Sequence, residues 1–297
     1  MKILVTGGSG LLGQKVVQLG LGRGHEVFSA YREHPTSQGT PIKLDLTNKE
    51  ELHRVISELK PDTIIHTAAY TDVDGCETNQ ELAWKVNAEA TKHLAVASTN
   101  IRAHIIYVST DYVFDGEKGL YSEEDDTNPV NYYGYTKLKG EQFVKENAGE
   151  WCIVRPSVLY GWGPKHKQNF ATWLINSTKQ GKALKVLTDQ FVSPTLNTNL
   201  AEMLLEIAER RITGTLHTSG ATRVSRYQFA VKLAEAFNLD VKLIKQARMN
   251  EMRWRAKRPK DSSLNVSKAE ALLNIKPQKL NQALNVMKKE LVRWQPS

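Results

Sequence analysis

The run Lys2-Ile3-Leu4-Val5-Thr6-Gly7-Gly8-Ser9-Gly10-Leu11-Leu12-Gly13 constrains the fold more than any other stretch of this chain. An apolar strand starts at the second residue, glycines recur at positions 7, 10 and 13, and an apolar-periodic helix continues to about residue 22. Glycines at this spacing permit a tight bend and close backbone approach. The helix that follows turns free N–H groups and the positive end of its dipole toward a pyrophosphate. A strand before the glycines and a helix after them is the context that makes such a turn a nucleotide-binding element.

The same alternation continues downstream. Apolar strands are expected at His25–Ala30, Pro41–Leu46, Asp62–Ala69 and His104–Val108. Between them lie a helix opened by a Thr47-x-x-Glu50 capping box and running through Leu59, and a long helix from about Gln80 to Ser98 that contains Asn87. The near-continuous apolar character of the fourth strand is that of a parallel strand covered on both faces. Strand and helix alternating in this way predict an α/β fold: a Rossmann-type, doubly wound parallel sheet whose ligands sit beyond the carboxyl ends of the strands.

That edge collects the candidate cofactor contacts. Gly7, Gly10, Leu11, Leu12 and Gly13 form the phosphate turn. An NAD site is expected to carry an acidic residue near the end of the second strand, and Arg32 stands there instead, placed to meet a 2′-phosphate, with Glu33 next to it. NADP is therefore the expected cofactor, with NAD the alternative. Asp45 and Leu46 end the third strand within reach of an adenine edge. Ala68, Ala69 and Tyr70 end the fourth, where small residues let a cofactor lie against the backbone.

Asn131 to Glu141 carries the chemistry. Tyr133 and Lys137 are four apart, so on a helix they share a face, and an ammonium beside a phenol favours the phenolate and lowers a pKa normally near 10. Tyr135 and Lys139 repeat the spacing; Gly134 and Gly140, which let a cofactor or another backbone approach, favour the first pair. Thr110 lies at the same sheet edge, able to donate to a substrate oxygen or to serve as a turn or cap threonine, and Asp111 is a cap or a substrate contact.

After a sixth strand at Cys152–Arg155 the alternation weakens. Gly161-Trp162-Gly163-Pro164 reads as a loop, Asn169–Gly181 as a helix, Ala183–Leu187 as a short strand, Asn197–Arg210 as an amphipathic helix and Gly214–Ser219 as a strand returning to the sheet. Helices at Ser225–Phe237 and near Val266 and Leu280 complete a smaller mixed α/β domain. The division expected is 1–157 with 186–219 for the dinucleotide, and 158–185 with 220–297 for the substrate.

Composition excludes more than it assigns. A chain of 297 residues with 40% hydrophobic and 24% charged residues builds an ordinary soluble core. It has no apolar run of 18 residues, and Met1-Lys2 leads directly into the first strand, which predicts a cytoplasmic protein without a membrane segment. Cys76 and Cys152 sit in no metal or disulfide pattern, so inert thiols and no metal site are expected. The net charge of +8 is spread along the chain except at Arg248–Lys260, a cluster that an anionic small substrate such as a nucleotide-linked sugar explains as well as nucleic acid does, and no nucleic-acid partner is expected.

Several longer motifs together resemble the extended short-chain dehydrogenase/reductase superfamily, and within it the dTDP-4-dehydrorhamnose reductase family, over nearly the whole chain. They are Thr6–Gly13, Ser109-Thr110-Asp111-Tyr112-Val113-Phe114-Asp115-Gly116, Pro129–Lys137, Asp189-Gln190-Phe191-Val192-Ser193-Pro194-Thr195, and Arg258-Pro259 followed by Ser262-Ser263-Leu264. The resemblance implies that Tyr133 protonates the reduced carbonyl oxygen, that Lys137 binds the nicotinamide ribose and tunes the tyrosine, and that Thr110 hydrogen-bonds the same oxygen. It makes Tyr135 and Lys139 bystanders. It also implies hydride transfer to C4 of a nucleotide-activated 4-keto-6-deoxy sugar, giving the L-rhamnose nucleotide. Trp162, Asn169 and Arg258 are the candidates for holding that substrate, and a homodimer is compatible with it. Val192-Ser193 departs from the small pair usual in the family, in a loop expected near the substrate. The same motifs resemble the regulatory beta subunit of methionine adenosyltransferase, which binds a nicotinamide cofactor but serves as an interaction partner. Another sugar-nucleotide epimerase, reductase or dehydratase is the third reading, although Asp111-Tyr112 lacks the acidic pair a dehydratase wants.

Overall fold

Alternating residues of the central strands go to opposite sides of one sheet. Ile3, Val5, Ile65, Ile106, Cys152 and Val154 pack into one hydrophobic cluster, while Leu4, Ile64, Ile105, Tyr107 and Ile153 pack into another. Both faces are therefore apolar, which is why these strands read as unbroken hydrophobic runs. The computed structural model describes residues 1–36, 38–164 and 167–291.

Strands β1 (Lys2–Thr6), β2 (Glu26–Tyr31), β3 (Thr40–Lys43), β4 (Thr63–His66), β5 (His104–Val108) and β6 (Trp151–Arg155) precede four short ones, β7 (Ser157–Tyr160), β8 (Leu184–Leu187), β9 (Phe191–Val192) and β10 (Pro194–Leu196). β11 (Gly214–His217), β12 (Val224–Ser225) and β13 (Ile244–Ala247) follow. Among the described residues the main sheet has seven strands in the order β11-β6-β5-β4-β1-β2-β3, all parallel. The chain reverses direction across the sheet between β1 and β4, which opens a crevice at their carboxyl ends.

Helices α1 (Gly13–Gly22) and α2 (Lys49–Leu59) connect the first strands. The N-cap of α2 is Asn48, whose side chain accepts from the Glu51 N–H, and not Thr47. Thr47 is held instead by Asp45, to which both its N–H and its hydroxyl donate. α3 (Val73–Thr78) precedes the long helix expected from Gln80 to Ser98, which runs without interruption as α4 (Gln80–Trp84), a widened π-type turn at Lys85–Glu89 and α5 (Ala90–Asn100). α6 (Tyr132–Asn147) carries the tyrosine-lysine stretch and is capped by the Asn131 side chain on the Gly134 N–H, at 2.8 Å.

The second half contains α7 (Phe170–Lys179), α8 (Asn197–Glu209), α9 (Arg226–Ala236), α10 (Ser267–Leu272) and α11 (Leu280–Leu291). α8 was expected to be amphipathic but is buried along almost its whole length, because one side packs on the main sheet and Glu206 accepts the N–H groups of Asn274 and Ile275, both at 2.7 Å, on another. A separate cluster around Tyr160, Leu174, Phe229 and Leu284 forms the core of the smaller lobe. Two boundaries of the expected division shift: β8 pairs along its length with β13, so the cut at 186 falls inside a small-lobe strand, and Ala269 and Leu273 join the core of the main sheet. Lys165, His166 and the last six residues of the second range lie outside the described residues.

Candidate active site

A cleft of about 700 Å³ runs along the carboxyl edge of the main sheet, and the glycine turn forms its floor. Gly7 has φ +68°, and a Cβ there would stand 2.8 Å from the Ala68 Cα; a Cβ on Gly13 would stand 2.1 Å from the Gly7 carbonyl oxygen. Only glycine allows the turn to close on itself, with the Gly10 N–H on the Gly7 carbonyl at 2.9 Å, and to lie against the end of β4. Ser9, Gly10, Leu11, Leu12 and Gly13 line the cleft beside the start of α1, as a pyrophosphate requires.

Arg32, Asp45, Leu46, Ala68, Ala69 and Tyr70 line the same cleft. Arg32 is exposed and paired with Glu33, and one oxygen of Asp45 is taken by Thr47. Tyr70 is fixed by a residue noted in the sequence without a role: Asn87, fully buried on the π-type turn, accepts from the Tyr70 N–H at 2.8 Å. Its amide donates to the Tyr70 carbonyl and to the Thr136 hydroxyl, both at 3.1 Å. An asparagine inside an apolar helical pattern was the available signal. These residues fit a nicotinamide dinucleotide: a backbone cradle for the phosphates, a cation at the far end of β2, and small residues between.

Thr110, Tyr133 and Lys137 line the opposite wall together. Thr110 is both cap and cleft residue, since its hydroxyl accepts the Tyr112 N–H at 3.2 Å, donates to Asp111 at 3.1 Å, and hydrogen-bonds Tyr133. Lys137 is almost wholly buried and its Nζ donates to the Val108 carbonyl at 2.9 Å. Burial drives its pKa down to about 7, opposed by Glu141 one turn along α6. The expected lowering of the tyrosine pKa does not occur. Loss of water around the Tyr133 hydroxyl raises it well above the ordinary phenol value, and the hydrogen bond with Thr110 only partly opposes this. Tyr133 is thus held as the protonated phenol. Tyr135 is exposed, and Lys139 lies over its ring and donates to Gln142.

The expected substrate contacts fare unevenly. Asp111 is buried and its Oδ2 accepts from Ser157 at 2.8 Å and Ser262 at 2.6 Å, so it knits β5 to the smaller lobe; burial raises its pKa against those hydrogen bonds. Asn169 reaches the rim of the cleft but is spent as the cap of α7, accepting from Ala171 and Thr172 and donating to the Gly161 carbonyl at 2.9 Å. Trp162 is not a cleft residue: it is buried in the small-lobe core and its indole donates to the Met287 carbonyl at 2.8 Å. Arg258 also stands away from the cleft, because its guanidinium is taken by Asp74 of α3 at 3.0 Å and by the Ala256 carbonyl. Val192 and Ser193 are buried in strand pairing and hydrogen bonds to Ser157 and Leu264, so their departure from the family pattern is absorbed by packing. Both thiols are buried and pushed up to about 12.

Sequence reasoning missed Arg226, the first residue of α9. It lines both the main cleft and a second chamber of about 450 Å³ that opens from it, bounded by Phe170, Trp173, Lys185, Met252 and Trp254. Its Nε donates to Gln190 at 3.3 Å and its guanidinium lies over the Phe170 ring. Nothing around Arg226 in the sequence signals a site; only the folding of α9 against α7 brings it there. Among the described residues no group of three or more His, Cys, Asp or Glu is placed to hold a metal, and no helix is long and apolar enough to cross a membrane.

Residues 1–293 match the RmlD substrate binding domain family. The chain is 36% identical over 277 residues to a probable low-salt glycan biosynthesis reductase of Haloferax volcanii, covering 92% of each. It is 33% identical to the methionine adenosyltransferase 2 subunit beta of Rattus norvegicus, covering 91% of this chain and 82% of that one. The crystal structure of dTDP-4-dehydrorhamnose reductase from Bacillus anthracis in complex with NADP superposes with a TM-score of 0.88 at 32% identity, covering 98% of this chain and 100% of that one. The chain belongs to the RmlD substrate-binding domain family, and with it to the nicotinamide-dependent oxidoreductases on a Rossmann-like fold.

Proposed function

We propose that this protein reduces the C4 keto group of a nucleotide-activated 4-keto-6-deoxy sugar with NADPH, converting dTDP-4-dehydrorhamnose to dTDP-L-rhamnose. The observation that carries the reading is the meeting of Thr110, Tyr133 and Lys137 on one wall of a cleft whose floor is the glycine turn. The glycine turn, Arg32, Asp45 and Lys137 would hold the dinucleotide, which when bound supplies the hydride. The protein supplies the proton and the orientation. Tyr133, kept as a phenol by its surroundings, donates its proton to the oxygen that gains negative charge as the carbonyl is reduced, and the ketone becomes an alcohol. Thr110, hydrogen-bonded to the same phenol, is placed to hold that oxygen in line. Lys137 brings to the wall a cation that no carboxylate pairs among the described residues, able to bind ribose hydroxyls and to favour the phenolate left after proton transfer.

Arg226 and the aromatic second chamber supply what the rest of a sugar nucleotide asks for: a cation for the diphosphate at the junction, and aromatic faces for a base beyond it. The similarity to a methionine adenosyltransferase beta subunit supports a second reading, a regulatory partner that binds cofactor without turnover. The glycan biosynthesis relative supports a third, a reductase of a different sugar nucleotide. The deciding experiment is incubation of the purified chain with NADPH and dTDP-4-dehydrorhamnose, following loss of the reduced nicotinamide absorbance and identifying the product. Cofactor binding without turnover, together with altered kinetics of an added methionine adenosyltransferase, would replace the reductase reading with the regulatory one.

A further inference from the structure

The ammonium of Lys137 is buried, yet among the described residues no carboxylate pairs with it. What lies against it is the ring of Tyr107, whose centroid is 4.2 Å from Nζ. Tyr107 is on β5, fully buried, and its single hydroxyl proton is shared between the carbonyls of Lys137 at 3.3 Å and Asn87 at 3.4 Å. The phenol therefore reaches beneath α6 and is anchored to the backbone of the very lysine its ring supports. Gly140 makes room for this: a Cβ there would stand 2.3 Å from the Tyr107 hydroxyl oxygen.

We infer that Tyr107 is a positioning residue for the reaction, its ring face holding the Lys137 ammonium at the cleft wall in the place where a carboxylate would otherwise be needed. A ring attracts a cation without taking a directed hydrogen bond. One N–H of the ammonium goes to the Val108 carbonyl, and two remain for ligands. A carboxylate in the same position would accept those donors and compete with anything binding in the cleft. The other titratable groups packed around the lysine are Glu141 of α6, itself held by Arg155 of β6, and His66 of β4, kept neutral by burial and by the lysine's own charge, with the Tyr133 phenol on the same face of α6. Burial drives the lysine pKa down to about 7, and an attractive ring face favours the charged form against that burial. A desolvated cation–π contact shifts such an equilibrium by roughly tenfold or more, which is about one pH unit.

The test is a side-chain NMR titration of Lys137 in the cofactor-free full chain labelled at lysine, with Lys137→Met to assign the signal. The wild-type lysine should titrate at about 7. Tyr107→Phe keeps the ring and should leave the midpoint within about half a pH unit, whereas Tyr107→Leu should lower it by about one pH unit or more. Gly140→Ala, which must displace the hydroxyl and with it the ring, should lower it as well. A second arm rests on the proposed cofactor role and measures NADPH affinity by protein fluorescence from pH 5.5 to 9. The affinity of the leucine variant should be lost at lower pH than that of the wild type, and the phenylalanine variant should behave as the wild type does. A folded leucine variant whose lysine titrates at the wild-type midpoint overturns the inference, as does a phenylalanine variant that falls as far as leucine. If Tyr107→Leu does not fold, Tyr107→Met, of similar bulk and without a ring, is read in its place. Lack of NADPH binding by the wild type would count against the cofactor role alone, and the NMR arm would still decide the role of Tyr107.

Discussion

Tyr133→Phe removes one oxygen atom from the cleft wall, and the consequences can be worked through. The ring keeps its edge contact with Tyr112, at 6.0 Å between centroids, so the wall should hold its shape, and NADPH affinity should change by less than about twofold. An ordinary phenol with a pKa near 10 is ionised in roughly one molecule in a thousand at pH 7. Tyr133 is ionised less often still, because burial raises its pKa. In the proposed reaction it would therefore act as an acid throughout the physiological range, and its loss should lower the rate of reduction by about 10²- to 10⁴-fold, or roughly 3 to 5 kcal/mol of barrier. The pH dependence separates it from Lys137. kcat/KM should fall as pH rises through about 7, where the ammonium of the free protein is lost, and this limb should survive in Tyr133→Phe. Single-turnover oxidation of NADPH with the keto sugar, from pH 5.5 to 9.5, measures both quantities, and Tyr135→Phe, exposed and outside the cleft, is the control. A Tyr133→Phe variant within about threefold of the wild-type rate would refute the assignment. Disappearance of the alkaline limb in that variant would show that the phenol titrates near neutrality and that burial does not govern it.

Three further predictions concern other parts of the chain. Arg32→Ala should weaken NADPH roughly tenfold more than NADH by equilibrium binding, and Glu33→Gln, which frees the guanidinium, should strengthen NADPH; equal effects on the two cofactors would remove Arg32 from phosphate recognition. Glu141→Gln keeps one acceptor oxygen but removes the charge that compensates the buried Arg155 guanidinium, so urea unfolding should show a loss of about 3 to 5 kcal/mol; the double variant Glu141→Leu with Arg155→Met should cost less than the single. Burial depresses His66 and His217 to about 3 and His104 to about 4, so the folded protein refuses protons that the unfolded chain takes up below about 6.5; stability is complete above that pH and is lost as pH falls toward 4. Calorimetric unfolding at pH 5.5 in buffers of different ionisation enthalpy should register uptake of roughly two to three protons, and uptake near zero would contradict the buried, neutral state of these rings.

The sheet was legible because a parallel strand covered on both faces must be apolar at every position, so β1, β4, β5 and β6 announce themselves without reference to the rest of the chain. The glycine turn was legible for a similar reason: positive φ and contact with Ala68 are demands on single residues. Side chains that act at a distance were not. Arg258 belongs to a basic run that invites a substrate, and only the arrival of Asp74 from α3 shows that the run docks one lobe on the other. Trp162 sits between glycines that read as a loop, and Asn197 binds the carbonyls of both Trp162 and Leu11 and draws that loop into the core. Arg226 reaches both chambers through packing of α9 on α7, a contact between segments more than forty residues apart.

Gly134 and Gly140 show which of the two expected occupants, a cofactor or another part of the backbone, fills the space they leave. Their spacing on the face of Lys137 suggested that something must approach α6 closely, and this favoured the Tyr133 register. Something does approach at both places, and in both it is the protein itself. A Cβ on Gly134 would stand 2.1 Å from the Tyr112 carbonyl, and one on Gly140 would meet the Tyr107 hydroxyl. α6 is thereby pressed against β5 and the turn after it at two points about one and two-thirds helical turns apart, with Lys137 between them. Such a clamp leaves the lysine one direction in which to extend, along the Tyr107 ring to the Val108 carbonyl at the edge of the cleft. The glycines thus specify the register by fixing the helix on the sheet, and they act on the ligand site only through the side chain they confine.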